Sequence, residues 1–117
     1  MSYIDGTVTA VPADNKAAFR DYAAKFAMLC KEFGATRVVE CWGDDVPDGK
    51  TTDFKRAVKA ESGEVVVFSW IEYPNKAVRD AAQAKMTSDP RMKDLSDMPF
   101  DGKRMIYGGF ATLLDAK

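Results

Sequence analysis

Apolar residues along the chain follow two spacings, and their order predicts the elements of the fold. Four segments have the extended or continuously apolar character of strands, at residues 3–11, 36–43, 65–71 and 104–114. Across residues 16–33 apolar side chains recur every three or four positions, which predicts an amphipathic helix that Gly34 ends. Asn75 can cap a second helix, closed by the Ser-Asp-Pro run at residues 88–90. The predicted order is βαββαβ.

The third strand decides the predicted architecture. This βαββαβ order favours an α+β fold with one antiparallel sheet and both helices on one face, because right-handed crossovers put them on the same side. Yet residues 65–71 form a nearly unbroken apolar run, so a large apolar set faces away from the helices. We expect a second copy of the chain to cover that set in a homodimer. The alternative is that the long loops fold over the open face of a monomer.

Composition bounds the remaining possibilities. With 117 residues and 46% hydrophobic content, the chain suits a single domain over residues 1–117. A net charge of −1 leaves no basic surplus for a nucleic acid partner. No apolar run is long enough for a membrane span, and the first residues lack the pattern of a signal peptide. These features predict a cytoplasmic protein with neither a nucleic acid nor a membrane as its partner.

Histidine is absent, which removes several functional classes. Without imidazole there is no Ser/His or Cys/His triad, no histidine ligand for haem and no usual zinc site. Cys30 and Cys41 have no CxxC spacing, and we interpret both as small core hydrophobes. We therefore expect neither a metal nor a tightly bound cofactor.

Several motifs together resemble a known family. They are the acidic turn at residues 44–50, the apolar strand at 66–70, the Asp-Pro-Arg-Met run at 89–92 and the segment MPFDGKRMIYGGF at 98–110. The chain resembles the YbaA-like family of bacterial proteins of unknown function over nearly its whole length. The resemblance implies a dimeric α+β barrel, in which two ferredoxin-like protomers pack sheet against sheet. It implies no catalytic residue, because that family has no established activity.

Polar and aromatic residues on the predicted strands are the candidates for a ligand pocket. Acids, indoles, a guanidinium and a phenol could line one cavity, as polar groups do in apolar small-molecule sites. The candidates are Glu40, Trp42, Trp70, Glu72, Arg104 and Tyr107. The alternative is that these groups pair as ion pairs at an interface or lie on its rim. Next to Tyr107, Gly108 and Gly109 predict a bulge or a close backbone approach.

Three functions remain open at this point. The chain is an enzyme that converts a small aromatic or conjugated molecule without a cofactor, a non-catalytic binder of such a molecule, or a structural or partner-binding homodimer. A pocket lined by Trp42, Trp70 and a desolvated Glu40 would favour the first two. A barrel filled by side chains, with those residues in ion pairs, would favour the third.

Overall fold

The computed structural model describes residues 2–117 and contains four strands and three α-helices. In chain order they are β1 Tyr3–Pro12, α1 Lys16–Glu32, β2 Arg37–Trp42, α2 Phe54–Ala57, β3 Glu64–Tyr73, α3 Lys76–Ser88 and β4 Ile106–Ala111. Short 3-10 turns occupy Ala13–Asn15, Pro90–Leu95 and Gly102–Arg104. The predicted βαββαβ order is confirmed, with the one-turn helix α2 added inside the predicted loop. The last strand is shorter at both ends than the predicted 104–114, because Arg104 lies in a 3-10 turn and the pairing with β1 ends at Ala111.

The four strands form one antiparallel sheet in the order β2-β3-β1-β4. The two central strands, β1 and β3, pair along their full length, from Tyr3 opposite Tyr73 to Pro12 opposite Glu64. This confirms the predicted ferredoxin-like arrangement. The sheet is open, with β2 and β4 at its edges.

Local chemistry fixes the start of α3 and the end of α1, as predicted. The side chain of Asn75 accepts a hydrogen bond from the backbone N–H of Val78, at 2.9 Å, and so caps α3. Just beyond α1, Gly34 has φ +127°, a conformation that only glycine adopts without strain. The backbone N–H of Ala35 then donates back to the carbonyl of Cys30.

The helices cover one face of the sheet. Cys30 of α1, Tyr73 of β3 and Ala82 of α3 are almost fully buried in one core cluster. A second cluster joins Phe19 of α1 to Val67 of β3. Along β3 the residues with odd numbers therefore face the helices, and those with even numbers face the other way.

The other side of the sheet, which we call the open face, is covered only at one end. Val58, in the segment between β2 and β3, is fully buried against Val8 and Val66. Phe54 of α2 meets Phe68 edge to face, with ring centroids 6.3 Å apart. The alternative of loop coverage is thus realised at this end alone, and Phe68 stays 45% exposed.

An ion pair fastens α3 to the sheet. The guanidinium of Arg79 lies 2.9 Å from the carboxylate of Asp5, and both side chains are less than one-fifth exposed. The same guanidinium lies over the ring of Tyr3, 5.1 Å from its centroid.

The side chains of Tyr3 and Arg79 lie close to the backbone of Gly109, where an added Cβ would lie 2.5 Å from the Tyr3 hydroxyl. The predicted close approach is confirmed in this form, but the predicted bulge is wrong, because the β1–β4 register is unbroken.

Gly109→Ala should lower the free energy of unfolding by about 1–3 kcal/mol, because the new methyl group would displace Tyr3 and Arg79. The control is Gly6→Ala, where an added Cβ would meet Phe110 at an ordinary contact distance of 3.6 Å. Urea denaturation of both variants measures the difference. Equal stability of the two variants would contradict the proposed crowding at Gly109.

Candidate functional site

The open face contains a concavity of about 880 Å³. It lies between the end covered by the segment that joins β2 to β3 and the C-terminal residues. Its apolar side chains come from three strands and from the tail. They are Ile4, Val8, Phe68, Trp70, Ile106, Phe110, Leu113 and Leu114. Phe110 is 60% exposed and Leu113 is 95% exposed. Monomeric proteins rarely expose so many large apolar side chains on one surface.

One end of the open face carries polar groups. The indole N–H of Trp70 donates to the carboxylate of Glu72, at 3.3 Å. Arg37, directly across on β2, has its Nε 3.6 Å from the same carboxylate, and its guanidinium lies 6.0 Å from the Trp70 ring centroid. These contacts orient the indole within an otherwise apolar surface.

A second concavity lies on the opposite face of the sheet, between α1 and β2, and we call it the α1–β2 groove. Its volume is about 390 Å³. The residues that line it are Lys16, Phe19, Arg20, Ala23, Ala24, Ala27, Val38, Glu40, Cys41, Trp42 and Val67. The ammonium group of Lys16 lies 5.3 Å from the centroid of the Trp42 ring.

Glu40 is the acidic group of the α1–β2 groove. It lies opposite Ser69 in the β2–β3 ladder, and the buried Ser69 hydroxyl donates a hydrogen bond to its carboxylate. Although the residue as a whole is exposed, the carboxylate is partly removed from water, and this burial raises the pKa of Glu40. The hydrogen bond from Ser69 opposes the rise. The pKa of Tyr22 is also raised, by burial first and by the nearby Glu40 charge second.

Comparison with known proteins places the chain in a family. Residues 2–102 match the family described as "Protein of unknown function (DUF1428)". The chain belongs to this DUF1428 family. It is 69% identical over 116 residues to the protein named "Uncharacterized protein YbaA" of Escherichia coli strain K12. The aligned region covers 98% of this chain and 99% of that protein. The YbaA protein of Shigella flexneri gives the same values.

Solved structures support the fold of this DUF1428 protein. An uncharacterised NIPSNAP domain protein from Burkholderia xenovorans aligns with a TM-score of 0.62 over 98% of both chains, at 13% identity. Rv0793 from Mycobacterium tuberculosis aligns with a TM-score of 0.54 over the full length of both chains, at 12% identity. At such identities the likeness concerns the fold alone.

The six predicted site residues of the DUF1428 chain do not share one cavity. Trp70 and Glu72 lie on the open face, whereas Glu40 and Trp42 lie on the helix face in the α1–β2 groove. The expectation of a common cavity is therefore wrong. The residues lie on different faces because the β2–β3 register puts Glu40 opposite Ser69 rather than opposite Trp70. Residues directly opposite each other on paired strands point to the same face.

Tyr107 lies at the edge of the open-face concavity, whereas Arg104 lines neither concavity. On β4 Tyr107 is opposite Thr7, which pairs with Ser69, so its side chain leaves the sheet on the helix side, where it is 78% exposed. Arg104 donates two hydrogen bonds of 2.7 Å to Glu64 and pairs with Asp101. Arg104 thus forms its ion pairs within one chain, which differs from the interface ion pair of the predicted alternative.

Three residues that contact the candidate side chains were not identified from the sequence. Arg37 stands beside Trp70, Ser69 holds Glu40, and Lys16 lies near the Trp42 ring. Arg37 and Lys16 are separated from their partners by many residues, so no spacing in the sequence connects them. The apolar neighbours of Ser69 on β3 indicated only a buried strand position.

Within residues 2–117, no helix is both long and apolar enough to cross a membrane. The same residues contain no group of three or more His, Cys, Asp or Glu side chains placed to hold a metal ion.

Glu40→Gln should change how stability depends on pH. Because burial raises the pKa of Glu40, the folded chain binds this proton more tightly than the unfolded chain does. The stability from the protonated form is fully present below the unfolded pKa of about 4.3 and is lost as the pH rises through the raised folded pKa. Glu40→Gln should match the natural protein near pH 4 and become relatively more stable towards pH 7.

Urea denaturation at a series of pH values measures this difference. Ser69→Ala is the companion variant. Without the Ser69 hydrogen bond the pKa of Glu40 should rise further, so the decrease in stability with rising pH should continue to higher pH. If the difference in stability between Glu40→Gln and the natural protein does not vary with pH, the pKa of Glu40 is not raised.

Proposed function

We propose that this protein acts as a cytoplasmic homodimer, in which the open faces of two chains pack together as a dimeric α+β barrel. The observation that carries the proposal is the exposure of Phe68, Ile106 and Phe110 on one continuous surface. Keeping such a surface in water costs about 25 cal/mol for each Å². A second copy offers a self-complementary apolar surface, and symmetric pairing is the commonest form of soluble assembly.

The interior between the two sheets is then a binding cavity for a small aromatic or conjugated molecule, held without a tightly bound cofactor. Apolar walls with a few fixed polar groups are typical of small-molecule sites. Here the walls are Phe68, Ile106 and Phe110, and the polar end is the contact of Trp70 with Glu72 and Arg37. The second candidate is a structural or partner-binding homodimer, favoured by Leu113 and Leu114, which could fill the interior.

Light scattering after size-exclusion chromatography should give twice the chain mass of 12.9 kDa at micromolar concentration. Phe110→Lys should shift the protein to the monomer, because two buried ammonium groups would face the partner's apolar surface. The control is Met28→Lys, which puts the same charge at a 73% exposed position on α1, in the helix layer. A natural protein of 12.9 kDa, or equal behaviour of the two variants, would contradict the proposed interface.

Binding of a neutral aromatic dye separates the two candidates. In a Trp42→Phe background Trp70 is the remaining tryptophan, so energy transfer from it to N-phenyl-1-naphthylamine reports binding to the protein, and the Phe68→Ala variant shows whether the dye lies at the open face. Saturable transfer with one or two dyes per dimer, reduced by Phe68→Ala, is expected for a hollow interior. A dimer that shows no saturable transfer would instead assign the structural role.

A further inference from the structure

The α1–β2 groove is separate from the proposed dimer contact. Its floor is formed by Glu40, Trp42 and Val67, which face the helices, whereas the open face is the other side of the sheet. What binds in the groove therefore does not depend on whether the open faces pair.

Two cations line the groove without an acidic partner. Within residues 2–117, neither Lys16 nor Arg20 forms a salt bridge. Every other arginine in that part of the chain does form one; these are Arg37, Arg56, Arg79, Arg91 and Arg104. Lys16 and Arg20 lie one helical turn apart on α1, so they belong to the same side of the helix. Their positive charge is available to an anion in the groove.

The walls of the groove suit a flat molecule. Ala23, Ala24 and Ala27 give the α1 side a low surface of methyl groups. The opposite side holds the indole of Trp42, whose ring also contacts Phe19 at a centroid distance of 6.4 Å. Small side chains facing an aromatic ring leave a slot, and aromatic rings favour stacked or edge-on contacts with a planar ligand. The volume of about 390 Å³ lies within the usual range of about 300–1,000 Å³ for small-molecule sites.

Glu40 supplies a polar group on the β2 side of this slot. Ser69 donates to one carboxylate oxygen, Oε2, which leaves Oε1 for another contact. Because burial favours the neutral acid, a protonated Glu40 can also donate a hydrogen bond. When it is protonated, Glu40 does not repel an anion held by Lys16 and Arg20.

We propose that the α1–β2 groove binds a small planar aromatic carboxylate. Its anionic group lies towards Lys16 and Arg20, and its ring lies between Trp42 and the alanines of α1. Glu40 faces the ligand from β2 and contacts its polar edge. The opposite assignment, a planar aromatic cation held by ionised Glu40, is an outcome that the following experiment separates.

The experiment follows the indole N–H signal of Trp42 by nuclear magnetic resonance in a Trp70→Phe protein, where Trp42 is the remaining tryptophan. The probe is 2-naphthoate, and 2-naphthalenemethanol and 2-naphthylmethylammonium serve as its neutral and cationic counterparts. We expect a saturable shift with 2-naphthoate and affinity at least about tenfold lower for the other two. No saturable shift, equal affinity for the neutral probe, or tighter binding of the cation would overturn the proposal.

A matched pair of variants tests the two cations. Lys16→Gln combined with Arg20→Gln should weaken 2-naphthoate binding by about tenfold or more. Lys25→Gln combined with Lys31→Gln removes the same charge from α1 outside the groove, beside Leu29 and Arg91, and should change affinity by less than about twofold. Equal losses in the two double variants would show a general charge effect and refute the assignment to Lys16 and Arg20.

Glu40→Gln tests the third contact. At pH 7 it should tighten 2-naphthoate binding by a few fold, because the amide keeps a hydrogen-bond donor and removes the negative charge. Unchanged or weaker binding would contradict the place given to Glu40 beside the ligand.

Discussion

The central strands β1 and β3 have apolar side chains on both faces, but the chain supplies a full layer of helices for only one of them. On the helix side, Val67 and Tyr73 are almost completely buried. On the other side, Val66 is buried under Val58, whereas Phe68 remains substantially exposed. This difference between the two faces determines the rest of the molecule. It leaves one face largely uncovered, and α1 and β2 form a separate groove on the other.

Ion pairs hold the edges of this arrangement in place. Arg79 reaches from α3 to Asp5 on β1, and Arg104 joins the segment before β4 to Glu64 at the start of β3. Each arginine side chain is at least four-fifths buried and is held by its carboxylate partner, so neither is a candidate ligand contact. By contrast, Lys16 and Arg20 are left for another role. The charges that maintain the fold are thus distinct from those that we assign to the groove.

Membership of the DUF1428 family and the likeness to NIPSNAP-type structures describe the fold without choosing an activity. Individual surfaces of the molecule are therefore what bears on function. The open face has large apolar side chains and one oriented indole, and it suits a second copy of the chain enclosing an apolar molecule. The α1–β2 groove has a slot, two free cations and a desolvated acid, and it suits a planar anion. Trp70 and Trp42 lie one in each site, which lets the two be studied independently.

The sequence by itself determined the order of the elements and the two-faced character of the sheet. Spacing of apolar residues predicted α1 and α3, and the unbroken run at residues 65–71 predicted an uncovered face, because hydrophobic periodicity follows directly from helix and strand geometry. Only the tertiary structure decided which candidate residues meet. The alternation of side chains is fixed within one strand, but the register between strands comes from turns and packing. That register separated Glu40 and Trp42 from Trp70 and Glu72, and packing alone put Arg104 in an ion pair and Lys16 beside Trp42.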